Sequence, residues 1–267
     1  MKARRNPRAR PKRTSERLRG PAPISKGDVF PMRLNKYLAR EGIATRRGAD
    51  ELIEKKRVLV NGAVASVGMK VEEGDEVSLR KSAKPREFAY VLFNKPAGVD
   101  THAERNGTPD ALGMLPPELR ALHLFPVGRL DKESSGLMIF TNDGRITDRL
   151  LNPAHEHEKT YDVTTKEPLR SNFKQRMEEG VDIEGYRTEP AKVEIVNGSR
   201  ARITLTEGKK HQIRRMVVAL GGQVRTLKRI RIMSLTLGTI PEGGYRTLSG
   251  DPLAAFLASL GLANAGL

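Results

Sequence analysis

Residues 127–143 read VGRLDKESSGLMIFTND. The charged segment Arg129-Leu130-Asp131-Lys132-Glu133 passes through Ser134, Ser135 and Gly136 into the unbroken apolar run Leu137-Met138-Ile139-Phe140. Such a run, bounded by small and polar residues, predicts a core strand over 136–141. Asp131, set between Arg129 and Lys132, is then either a solvated turn residue or a reactive carboxylate. Basic neighbours favour its ionised form. The small residues leave room for a substrate, and the strand gives the loop a rigid support. By residue type alone it is one of 32 acidic side chains, so an ordinary structural role stays open at this point.

Outward from this strand, the pattern predicts further strands over 88–93, 159–165, 191–196 and 201–206, the last two joined by Asn197-Gly198. Helices are expected over 145–151, stopped before Pro153, over 169–179, ended by Gly180, and over about 209–220, ended by Gly221-Gly222. Asp251-Pro252 offers an N-cap and first turn for a last helix carrying Leu253, Phe256, Leu257 and Leu260. Hairpins mixed with helices, without a regular βαβ rhythm, predict an α+β domain over 88–260 with a largely antiparallel mixed sheet flanked by helices.

Ahead of it, 81–87 (KSAKPRE) reads as a linker and 32–80 as a small separate unit. MRLNKYLARE places Leu34, Tyr37 and Leu38 on one helical face. Thr45 offers an N-cap for RRGADELIEKK, where Ala49, Leu52 and Ile53 repeat the spacing. VLVNGAVAS carries Asn61-Gly62 between apolar residues, a hairpin signal. KVEEGDEVSL is expected to form another strand pair turning at Gly74-Asp75. Arg33, Lys36, Arg40, Arg46 and Arg47 crowd the two helices, as a solvated face or as a phosphate-binding one. Residues 1–31 hold five prolines among basic residues and little that is apolar, so they are expected to be disordered.

The chain has 267 residues and a formal charge of +16, with nine Lys/Arg against only Glu16 in residues 1–20. An excess of this kind points to a polyanion, and the basic tail is a candidate contact for it. Aromatic residues make up 4% and tryptophan is absent, so phosphate and shape contacts are expected to outweigh stacking. The longest apolar run, Phe88 to Phe93, is too short to cross a bilayer, and no signal peptide is recognised. With no cysteine, thiolate metal sites and thiol nucleophiles are excluded; a cytoplasmic location is the economical reading. His155 and His157 lack accompanying acidic ligands, and neither a P-loop nor a G-x-S-x-G elbow occurs.

Two later segments bear on Asp131. EKTYDV puts Tyr161 on a strand behind Lys159, and EGKKHQIRRM opens a helix whose buried stripe is Ile213, Met216, Val217 and Leu220. An arginine near a helix start opposes the macrodipole, so Arg214 or Arg215 is expected to serve a phosphate or a carboxylate.

Residues 32–80, with their R-L-x-K-x-L start, paired arginines and V-x-V-N-G hairpin, resemble an S4 domain, a small RNA-binding module. FNKPAGV, VGRLDKESSGLMIFTNDG, EKTYDV and EGKKHQIRRM, in that order, resemble the pseudouridine synthases. With the S4 module in front, the likeness is to the ribosomal small-subunit pseudouridine synthase A family, which includes large-subunit enzymes. The resemblance covers about 32–255. It implies that Asp131 is the catalytic aspartate with Arg129 as its motif partner. It further implies Tyr161 as the ring against the target base and Arg214 as the cation paired with Asp131. Arg33, Lys36, Arg40, Arg46, Arg47, Lys95 and Arg215 become the expected RNA contacts. Asn94-Lys95-Pro96 and Asn142-Asp143-Gly144 match motifs that shape the site, or are ordinary turns. The reaction needs neither metal nor organic cofactor.

RTLKRIRIMSLTLGTIPEGGYRTLS resembles the large-subunit members more than the small-subunit one. A uridine in 23S rRNA is therefore the expected target, with 16S rRNA or a tRNA anticodon arm as alternatives, and the enzyme is expected to act as a monomer. The competing reading is a non-catalytic RNA-binding or ribosome-assembly factor. The intact set Asp131, Tyr161 and Arg214 argues against it. A nuclease would want carboxylates clustered for metal ions, and no such site is evident.

Overall fold

The computed structural model describes residues 15–17, 30–44, 46–80, 88–102 and 110–262. The chain divides into two units, Met1–Glu87 and Phe88–Leu267, each with its own apolar core. Thr45 and the segment 81–87, expected as a cap and a linker, lie outside the described residues.

In the first unit the helices Leu34–Arg40 and Arg46–Glu54 bury Leu34, Leu38, Ala39, Ala49 and Ile53, while Asn35 Nδ2 ties them together through Asp50 at 3.0 Å. Strands Val58–Val60 and Ala63–Val64 form the expected hairpin. Asn61 (φ 50°) and Gly62 (φ 79°) both occupy the left-handed region that a two-residue turn of this hand demands. The second expected hairpin does not form. Lys70–Val71 pairs with Met32–Arg33, and Val77–Arg80 pairs with Val58–Val60. The Asp75 carboxylate takes Asn61 Nδ2 at 2.8 Å, and that link carries the chain after the turn to the neighbouring strand. Of the 1–31 tail, Ser15–Arg17 forms an edge strand against Val77–Arg80, because backbone pairing at an edge asks nothing apolar of the side chains. Phe30 packs against the small core. Residues 1–14 and 18–29 lie outside the described ones.

The second unit is built on a nine-stranded sheet. Its main path runs Lys192–Asn197, Arg200–Leu205, Lys159–Thr165, Val224–Ile232, Ser135–Thr141, Tyr90–Lys95 and Tyr245–Thr247. Among the described strands, Val224–Ile232 against Ser135–Thr141 is the one parallel pair, through Lys228↔Ser135 and Arg229↔Gly136. The run Leu137 to Phe140 is apolar throughout because the strand is covered on both faces. Leu137 and Ile139 face the helices Arg145–Leu151 and Gly250–Ser259, whereas Met138 and Phe140 face Leu115, Leu124 and Leu130. The other half of the sheet is covered by Phe173–Glu178 and Gln212–Ala219.

Three expectations shift. The helix expected over 169–179 begins only at Phe173, since Leu169 N is taken by Gly198 O at 2.6 Å. The last helix starts at Gly250 with Ser249 at its cap, and Asp251 lies in its first turn. The nine-residue strand Val224–Ile232 is absent from the sequence reading: Arg225, Lys228, Arg229 and Arg231 break up its apolar pattern.

Candidate active site

Asp131 lies on the loop that feeds strand Ser135–Thr141, and the backbone of that loop is held by side chains from four other segments. The carbonyl of Arg129 accepts from Arg229 Nη1 at 3.4 Å. That of Leu130 accepts from Thr101 Oγ1 at 2.7 Å, and Leu130 N donates back to the same hydroxyl. The carbonyl of Lys132 accepts from Lys95 Nζ at 3.2 Å, and that of Glu133 from Arg214 Nη2 at 3.0 Å. Asp131 O itself takes Ser134 N at 3.0 Å. Every carbonyl from 129 to 133 is thus occupied, so the position of Asp131 is set before any ligand arrives. Gly136 closes the loop with φ +105°; a Cβ there would lie 2.2 Å from Arg229 O, so the close approach of the two strands requires glycine.

The carboxylate stays half-exposed. Its ion-pair partner is His211, with Nε2 3.4 Å from Oδ1, a pair that is charged only when the imidazole is protonated. His211 sits at the N-cap of helix Gln212–Ala219 in the left-handed region (φ 53°), uncommon for a residue with a side chain. The turn is fixed behind it. Gln212 accepts from Lys209 N at 2.9 Å and donates to Glu207, which also takes the Tyr186 hydroxyl at 2.6 Å. That hydroxyl donates to a carboxylate, which pushes the Tyr186 pKa up to about 12.

Arg214, expected to pair with Asp131, does not do so here. Its Nη2 donates to Glu133 O and, at 3.3 Å, to Ser134 Oγ, and its buried Nε has no partner among the described residues. The helix start directs His211 to the carboxylate and Arg214 to the loop backbone. Arg129 is exposed and makes no ion pair among the described residues, and Lys132 turns to Asp100 at 3.6 Å. The side chains of the basic residues flanking Asp131 in sequence therefore form no ion pair with it among the described residues. Tyr161 is half-buried on strand Lys159–Thr165, opposite Arg229 and Ile203 in register, and packs against the cluster containing Leu130.

Three expected RNA contacts are engaged elsewhere. Lys95 is fully buried, its ammonium donating to the carbonyls of Pro96, Val99 and Lys132. Burial lowers its pKa to about 8, against the pull of Asp100, Glu133 and Asp131 and with the push of Arg229. Arg40 is bound to Glu41 at 2.7 Å and lies over the rings of Tyr37 and Phe30. Arg215 is bound to Glu184 at 2.6 Å and to Ile183 O at 3.2 Å. Arg33, Lys36, Arg46 and Arg47 are exposed. Asn142 and Asp143 lie at the other end of the strand from Asp131. There Asn142 Oδ1 takes Ala89 N at 2.9 Å and Asp143 holds Arg145 and Tyr90, so they read as structural turns. His155 and His157 stack at 5.7 Å. Thr101, His211 and Arg229 are missed by sequence reasoning. Only His211 had a signal there, standing directly before the helix of EGKKHQIRRM.

The pattern of the RNA pseudouridylate synthases matches residues 89–219 and that of the S4 domain residues 32–77. The dual-specificity RNA pseudouridine synthase RluF of Escherichia coli (strain K12) is 38% identical over 226 residues, covering 83% of this chain and 77% of its own. The ribosomal small subunit pseudouridine synthase A of Pasteurella multocida is 36% identical over 231 residues, covering 84% and 99%. A crystal structure of a pseudouridylate synthase superimposes with a TM-score of 0.63 at 31% identity, covering 86% of this chain and 99% of that one.

Proposed function

The chain belongs to the RNA pseudouridine synthase family and carries an S4 domain ahead of the synthase domain; from this premise we propose that it isomerises a uridine of 23S rRNA with Asp131 as the catalytic aspartate. In the reaction the N1–C1′ bond breaks, the uracil turns, and a C5–C1′ bond forms. The C5 proton leaves and N1 gains one, so the conversion is redox-neutral. An ionised Asp131 can attack C1′, accept a sugar proton, or add to uracil C6.

The observation that carries the reading is the clamped loop: a half-exposed carboxylate on a backbone whose carbonyls are all held. A target inside folded RNA must leave the stack, and Tyr161 is the ring we assign to stack on the extruded base. Arg33, Lys36, Arg46 and Arg47 are the S4 contacts to phosphate. The large-subunit assignment rests on the segment 225–249, and a tRNA arm is the second target we consider. A monomer working in the cytoplasm is the form we infer. Among the described residues no helix is long and apolar enough to cross a membrane.

The test supplies unmodified 16S and 23S transcripts separately and maps pseudouridine by carbodiimide-blocked primer extension. A new stop in 23S that vanishes with Asp131→Ala is the expected result. A stop in 16S alone overturns the substrate, and a stop that survives the substitution overturns the residue.

A further inference from the structure

Asp131 and Tyr161 belong to opposite sides of the parallel joint in the sheet. On one side stand Tyr90–Lys95 and Ser135–Thr141 with the Asp131 loop; on the other stand Val224–Ile232 and Lys159–Thr165 with Tyr161. The joint has only two residue pairs, Lys228↔Ser135 and Arg229↔Gly136, so by itself it is a weak guarantee of alignment. Arg229 spans it. Its backbone lies against Gly136, its Nε donates to Leu137 O at 2.8 Å and its Nη1 to Arg129 O at 3.4 Å. On its other flank it is directly opposite Tyr161.

Arg229 is 4% exposed as a residue, and its guanidinium has no carboxylate partner among the described residues and leaves Nη2 without a hydrogen-bond partner there. A buried cation in this state opposes folding, and an apolar side chain of similar size would serve stability as well or better. A residue kept only to hold the sheet together would not be chosen this way.

We propose that Arg229 is a positioning residue for the isomerisation, fixing the Asp131 loop relative to the strand of Tyr161. This rests on the reading of Asp131 as the catalytic aspartate. Displacing a reacting group by about 1 Å costs on the order of 100-fold in rate, and that is the loss expected in kcat for Arg229→Met. KM is expected to stay within about threefold, and the melting temperature to stay level or rise. Arg229→Lys keeps the charge but cannot donate along two directions of a planar fork, so it recovers only part of kcat. Hydrogen exchange in 129–137 should quicken in both variants without change in the rest of the sheet.

Unchanged kcat in Arg229→Met overturns the proposal. So does unfolding of both variants, which would make Arg229 a fold-holding residue only. Asp131→Asn runs alongside: if it remains active, the reading of the site fails, whatever the Arg229 variants do.

Discussion

Strand Ser135–Thr141 has an aspartate beyond each end, and the two have opposite surroundings. Asp143 is fully buried. It takes Arg145 through Nε at 2.8 Å and Nη2 at 2.7 Å, Arg145 N at 3.0 Å, and the Tyr90 hydroxyl. Arg145 in turn lies 4.4 Å over the Phe88 ring. Burial and the neighbouring carboxylate raise the Tyr90 pKa, so its proton stays in place to donate. The Asp131 side chain is 35% exposed, and its one ion-pair contact among the described residues is the long one to His211. Both have an arginine two positions away in sequence, Arg129 and Arg145. A carboxylate whose acceptor sites are filled by the fold is structural, whereas one left open on a rigid backbone is available for chemistry.

The sharpest way to break this contrast is Asp131→Asn. Pseudouridine formation should fall by about 10⁴-fold or more, while stability stays within about 0.5 kcal/mol. Release of tritium from C5-labelled uridine in the target RNA, together with a melting curve, checks both halves. Substantial residual turnover would end the assignment. Asp143→Ala should show the reverse. It strands Arg145 and the Tyr90 hydroxyl in the core, at about 3–5 kcal/mol, yet activity per folded molecule should persist. Denaturant midpoints measure the first, and active-site-normalised rates the second.

Tyr161→Leu comes next. Loss of base stacking should weaken target RNA binding by roughly 1–3 kcal/mol, and Tyr161→Phe should stay close to the wild type in a filter-binding titration. Equal affinities for Leu and Tyr would remove the ring from the site.

Lys95 sharpens the comparison through pH. Burial lowers the pKa of its ammonium to about 8 in the folded chain, from the 10.5 of an unburied lysine. The unfolded chain therefore binds more protons between these values, so this group's contribution to stability rises as pH climbs from about 8 towards 10.5. The same deprotonation removes a donor from the clamp on Pro96, Val99 and Lys132, so kcat should fall along an alkaline limb beginning near pH 8. Rate and stability moving in opposite directions is the signature, and a flat rate across this range would contradict it. The smallest effect concerns the basic tail: deletion of 1–31 should flatten the salt dependence of rRNA binding, with an unchanged slope excluding contact.

The signals legible along the chain were local. The run Leu137 to Phe140 announced a strand, Asn61-Gly62 a hairpin, and R-L-D-K the aspartate we propose as catalytic, the last through family resemblance. These signals survive because they depend on residues a few positions apart. The strand Val224–Ile232 did not announce itself, since its four basic residues hide the alternation, and Arg229 is buried only because the parallel joint covers it. The sequence likewise assigned Lys95, Arg40 and Arg215 to RNA, whereas the fold gives each of them a partner within the chain. Those partners proved to be the Lys132 carbonyl, Glu41 with two rings, and Glu184. That His211 faces Asp131 while Arg214 holds the loop came from the folded arrangement, because a helix start sets directions that spacing along the chain does not contain.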